Sequence, residues 1–176
     1  MENDDFQKIL ELHKKYLLGK DGGKMANLKD ADLQGAEMDR AELECANLRN
    51  ANLRSANLRG TNLRSADMRG ADLVNAKLKG ANLERVNLAG ANLSGARLEG
   101  ACMMRANLTE AKLTGANLEG ADLICATLKD AKLMDACLKS AAMTGAYLTG
   151  VNLEGATMPD GKQYDPAVHT TEMLSG

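Results

Sequence analysis

Tryptophan is absent from the 176-residue chain, and only Phe6, Tyr16, Tyr147 and Tyr164 are aromatic. Large aromatic side chains dominate an ordinary globular core, so the core here must be built from Ala, Leu and Met. No apolar run approaches the roughly 18 residues of a spanning helix, and no segment reads as membrane-spanning. The opening stretch, MENDDFQKIL, begins with acids and holds no apolar core, so it does not read as a secretory signal. Neither sign of charge dominates. The 22 Lys and Arg face 24 Asp and Glu, a net charge of −2, which argues against both a generic polyanion binder and a highly acidic tail protein. Only two histidines occur, His13 and His169, and there is no phosphate loop, GxGxxG or His-Glu motif. The residues therefore point to no catalytic site, no cofactor and no metal site. Acidic pairs such as Glu42 and Glu44 read as a solvated face.

What the chain does have is a repeat. From Ala26 to Met158 it divides into 27 consecutive units of five residues (ANLKD, ADLQG, AEMDR and onward) without one insertion. The first position is Ala in 24 units, with Thr61, Val86 and Val151 as the exceptions. The third is Leu in 22 and Met in five. The second is mostly Asn or Asp, and the fifth is Gly in twelve. Apolar spacings thus alternate between two and three. Residues two apart share the face of an extended segment, and a spacing of three needs a corner between. Each unit reads as a short extended piece, Ala-x-Leu, followed by a turn over positions four and five, where Asn, Asp and Gly suit the backbone. A chain that turns at every unit while showing Ala and Leu inward must coil as a solenoid, each coil burying its apolar face against its neighbours.

The A(D/N)LXX unit resembles the pentapeptide repeat family, over about three quarters of the chain. The resemblance implies an all-β solenoid, a right-handed quadrilateral parallel β-helix with four units per coil, so that residues 20 apart stack. The 27 units would make about seven coils, roughly 32 Å tall at the ordinary strand spacing. Family members often mix Phe with Leu at the central position; here none does, so the bore should be uniformly narrow. The order of an amphipathic segment with LLG ahead of the repeats is similar to many cyanobacterial members.

The flanks read as caps on exposed strand edges, which otherwise invite aggregation. Residues 1–25 form an N-terminal capping helix and linker, 26–158 the repeat body and 159–176 a C-terminal tail. The helix is expected over 4–18, with Phe6, Ile9, Leu10, His13 and Leu17 on one face, Asn3 or Asp4 as N-cap and Gly19 as terminator. His13 is expected to pack in the cap, and His169 to be solvated. Asp165 and Pro166 are expected to open a short helix running to about Leu174. The last coil leaves monomer and end-to-end homodimer both open. Cys45, Cys102, Cys125 and Cys137 occupy second or fifth positions with no convincing pair, so free thiols and a reducing, cytoplasmic location are expected.

One surface feature departs from a random mix. Arg49, Arg54, Arg59, Arg64 and Arg69 hold the fourth position of five consecutive units, and Asp67 is the one acid between residues 46 and 70. They form a candidate belt for a protein partner, acidic in character. Nucleic acid is disfavoured, because a belt spread over four faces cannot meet one duplex and no aromatic residue interleaves it. The expected function is a non-enzymatic protein-interaction or scaffold module with a rigid four-sided surface and a regulatory role. The family also includes DNA mimics that bind type II topoisomerases. That alternative needs a strongly negative rod, and the repeats hold 16 acids against 16 bases.

Overall fold

A computed structural model describes residues 3–169. One helix, α1 (Asn3–Leu17), precedes a coil that turns at every fifth residue. The unit Ala91–Gly95 shows how the backbone is satisfied. Its five N–H groups donate, in order, to Leu88 O (3.0 Å), Ala71 O (2.9 Å), Lys112 O (2.6 Å), the Asn92 side chain (3.2 Å) and Thr114 O (2.9 Å). Three of these bonds run to neighbouring coils, one closes the preceding turn, and one is a cap by the unit's own second residue. That cap explains the Asn/Asp preference at position two: the side-chain oxygen accepts from the N–H two residues on, as in an Asx turn. The same bond recurs at Asn47, Asn52, Asp72, Asn107 and Asp122.

The corner is a β-turn from the third residue of one unit to the first of the next. From Asp30 to Gly155 the fifth residue always has φ between 53° and 71°, which a type II turn requires at its third place. A side chain in this region costs about 1–2 kcal/mol. Arg40, Arg85, Arg105 and Glu110 nonetheless adopt it, held there by the coil-to-coil bonds on either side.

Parallel bridges join each second residue to the one 20 further on, from Asn27↔Asn47 to Cys137↔Thr157. Four units therefore complete one turn, and the coil is four-sided. The four sides are named here by their first units: the Ala26, Ala31, Ala36 and Ala41 faces. No continuous strand or sheet forms among the described residues. The expected β-helix is instead a set of ladders of single bridged residues. Each side has only three residues between corners, so only the middle one has extended backbone on both flanks.

Every third-position Leu or Met from Leu28 to Met158 is buried. The first-position residues line the same bore and are buried except for Ala31, Ala36, Ala41 and Val151, which lie in the terminal coils and are partly open. Thr61 replaces an alanine there at 0% exposure, and its hydroxyl donates to the Met38 carbonyl at 2.7 Å.

Helix α1 caps the first coil. Phe6 and His13 are buried, and Ile9 and Leu10 pack against the core. The N-cap expected at Asn3 or Asp4 concerns side chains outside the described residues. The helix ends in a Schellman motif: Lys20 N–H donates to Lys15 O, Gly19 N–H donates to Tyr16 O, and Gly19 has φ 62°. Gly23 then lies so close to the backbone of Lys15 and Tyr16 that no Cβ fits. His13 Nδ1 accepts from Ala26 N–H at 3.0 Å and clamps the helix to the first repeat. Burial lowers the His13 pKa below its usual 6.5, against the pull of the Glu44 carbonyl and the Glu42 and Glu44 carboxylates.

At the other end the chain folds back. Gln163 bridges Thr157 antiparallel, and Tyr164 N–H donates to Ala156 O at 2.7 Å. Residues 166–168 form a turn, in which Asp165 accepts from the Ala167 N–H. The helix expected to open at Asp165 and Pro166 is not formed over the described part of this stretch; the rest of it, to Leu174, lies outside the described residues. His169 is not solvated as expected. It is 8% exposed, stacks on Tyr164, and accepts the Asp165 N–H at Nδ1, 3.0 Å. Position in the tail hid this, because the pairing depends on the fold-back.

Leu93→Ala should lose about 2–5 kcal/mol by the void it leaves, and Ala91→Leu about 1–3 kcal/mol by overpacking, both read by urea unfolding. Because the folded chain holds His13 neutral, stability should be lost as pH falls below the unfolded value near 6.5. Thermal melts between pH 7 and 5 should fall more for the wild type than for His13→Asn; equal falls would contradict the buried clamp.

Candidate functional site

The five belt arginines point outward from consecutive corners. Arg49, Arg54, Arg59 and Arg69 are exposed, and Arg64 is half-buried. The bridge Asn47↔Asp67 puts Arg49 and Arg69 in one column, one coil apart. The belt is not a ring of bare charge. Arg54 reaches Asp72 at 3.1 Å. Arg64 lies between Glu44 (3.1 Å) and Glu84 (3.3 Å), one coil below and one above. Arg69 makes a two-pronged contact with Asp67, at 2.9 and 2.6 Å. That hydrogen bond is the main reason the Asp67 pKa falls below its usual 3.8. Among the described residues no ion pair is recorded for Arg49 or Arg59, although Arg49 adds a weaker pull on Asp67. Counting charge along the chain overstated the belt, since Glu44, Glu84 and Asp72 reach it from neighbouring units or coils.

Stacking also creates a cluster that the linear reading did not identify. On the Ala36 face, Arg59 meets Arg40, Lys79 and Arg97 around a groove of about 550 Å³, with Asp39 and Asn57 in its wall. These residues are adjacent only at a spacing near 20, so a reading in consecutive fives scatters them. Reading the columns Asp39–Arg59–Lys79–Glu99, Glu37–Asn57–Lys77–Arg97 and Arg40–Gly60–Gly80–Gly100 would have found them.

Cys45 and Cys125 are exposed, Cys102 and Cys137 half-buried, and all four are unpaired. Among the described residues no cluster of His, Cys, Asp and Glu is arranged to hold a metal ion. Among them too, no helix is long and apolar enough to cross a membrane.

These features define a class: a repeat solenoid with a bore of small residues and Leu or Met, and four outer faces. A family model described as pentapeptide repeats, in eight copies, matches residues 26–64, 66–103 and 101–139. The chain belongs to the pentapeptide repeat family. It is similar to HetL, a pentapeptide repeat protein involved in heterocyst differentiation regulation in the cyanobacterium Nostoc sp. strain PCC 7120. The identity is 30% over 88% of this chain and 98% of that one, with a TM-score of 0.40. A pentapeptide repeat protein of the Arabidopsis thaliana thylakoid lumen is 30% identical over 74% of this chain and 70% of that one, with a TM-score of 0.39. A trypsin-treated form of QnrB1, a plasmid-mediated fluoroquinolone resistance protein, is 20% identical over 76% of this chain and 78% of that one, with a TM-score of 0.44. Comparison with curated proteins finds no match.

The Arg69–Asp67 pair offers a direct check. Arg69→Gln should raise the Asp67 pKa toward 3.8, followed by NMR titration of side-chain carboxyls. An unmoved titration would place the cause elsewhere than the guanidinium.

Proposed function

We propose that this chain is a non-enzymatic protein-interaction module, a rigid scaffold whose outer faces bind a protein partner of acidic character. The observation that carries this reading is the division of labour within each unit. Positions one and three are fixed by the bore, while positions two, four and five carry different chemistry on each face. A solenoid backbone held rigid needs no ordering on binding, and the planar Arg fork loses less side-chain freedom per hydrogen bond than Lys does, which favours specific contact. The matching family is a repeat family, not a catalytic one. Four free thiols support a reducing compartment, and we place the module in the cytoplasm. The five belt arginines are the contact we assign first, and a regulatory role is the use we favour for such a contact. The balanced charge of the repeats weighs against mimicry of DNA.

Affinity capture from native lysate, followed by titration with the purified partner, tests the reading. Saturable one-to-one binding, weakened about tenfold when Arg49, Arg54, Arg59, Arg64 and Arg69 are all changed to Gln, is the expected result. If no captured protein binds the purified chain, the reading is wrong. Inhibition of a type II topoisomerase in a supercoiling assay would establish mimicry in its place.

A further inference from the structure

We infer that the groove on the Ala36 face is a docking site for a short acidic peptide segment of a protein partner. This rests on the interaction-module reading and gives it a specific address. Four cations, Arg40, Arg59, Lys79 and Arg97, line the groove against one carboxylate, Asp39. Arg97 donates to Glu99 at 2.9 and 3.1 Å. Glu99 is itself partly buried; burial works to raise its pKa, but its own backbone N–H, Arg97 and Lys79 outweigh that and hold it low. Among the described residues Arg40, Arg59 and Lys79 form no salt bridge; Asp39 shares the groove and Lys79 acts on Glu99 only at longer range, so the centre of the groove carries a net positive charge that no direct ion pair neutralises. Gly60 forms part of its wall, where the Arg40 side chain lies across it, its Cγ 3.5 Å from where a Cβ would stand.

The size of the patch selects the ligand. Along the fourth-position column the order is Asp39, Arg59, Lys79, Glu99, Glu119, so carboxylates bound the cations at both ends. The open positive stretch is about two coils long, roughly 10 Å at the ordinary strand spacing, enough for about three residues of extended chain. A nucleic acid strand would run on past Asp39 and Glu99 and meet their repulsion. No aromatic side chain lines the groove to stack a base. A segment with two or three neighbouring Asp or Glu fits both the length and the charge, and Arg59 with Arg40 supplies the planar forks that carboxylates take in pairs.

A fluorescein-labelled Gly-Ser-Glu-Glu-Glu-Ser-Gly peptide, followed by anisotropy, tests this on the full chain. It should bind the wild type more tightly than the same peptide with Gln in place of each Glu, and added salt should weaken it. The double variant Arg59→Glu, Lys79→Glu should bind about tenfold more weakly or not at all, and Arg59→Gln, Lys79→Gln should show the same direction should the reversal unfold the chain. Lys129→Glu, on the Ala26 face, should leave binding unchanged. Absence of binding, or binding indifferent to residues 59 and 79, would overturn the assignment. So would tighter binding of a single-stranded oligonucleotide of matched charge through the same residues. A purified partner that binds the double variant undiminished refutes the groove and leaves the module reading standing; failure to find any partner refutes the module itself.

Discussion

The hydrogen bonds between a residue and its counterpart one coil away set the terms for everything else in this molecule. They fix the spacing of neighbouring coils at that of paired strands and the length of a turn at four units. With so short a turn the bore has room for one Leu or Met and one small residue from each side. That is why the interior repeats a small residue and a Leu or Met in every unit. The same bonds hold non-glycine residues at the corners in a left-handed conformation they would otherwise avoid.

The bonds also decide what the surface looks like. Side chains five apart in sequence point from different faces, whereas side chains 20 apart touch. Asn52 donates to Asp32, Asn57 to Glu37 and Asn62 to Glu42, each one coil apart. Arg64 draws on Glu44 and Glu84 by the same rule. Electrostatic character therefore belongs to columns, and a run of arginines in the sequence becomes a ring divided among four environments. Arg54, Arg64 and Arg69 are matched by carboxylates, while Arg49 and Arg59 form no salt bridge, and it is Arg59 that further cations join.

Much of the fold was legible because the period is strict. The inward set, the corner and the capping helix with His13 on its buried side followed from spacing alone, and Gly19 announced the helix end. The absence of true strands was not legible, since pattern gives extended residues but not how many flank each bridge. His169 was misjudged because its burial arises from a reversal at Asp160 to Gln163 that no periodicity marks. For the surface, the belt residues were correctly placed outside, yet their pairing was hidden: Glu44 and Glu84 lie 20 residues either side of Arg64. The groove cations Arg40, Lys79 and Arg97 were missed for the same reason.

The central claim is that neighbours across coils are 20 residues apart. Asn117 tests it, lying 15 residues after Cys102 and 20 before Cys137, which it bridges. Asn117→Cys should form a disulfide with Cys137 on mild oxidation, because bridged Cα atoms lie within the roughly 4.4–6.8 Å that a disulfide spans. Peptide mapping by mass spectrometry should find that link. A link to Cys102, or none, would contradict the four-unit turn on which the bore, the surface columns and the groove all depend.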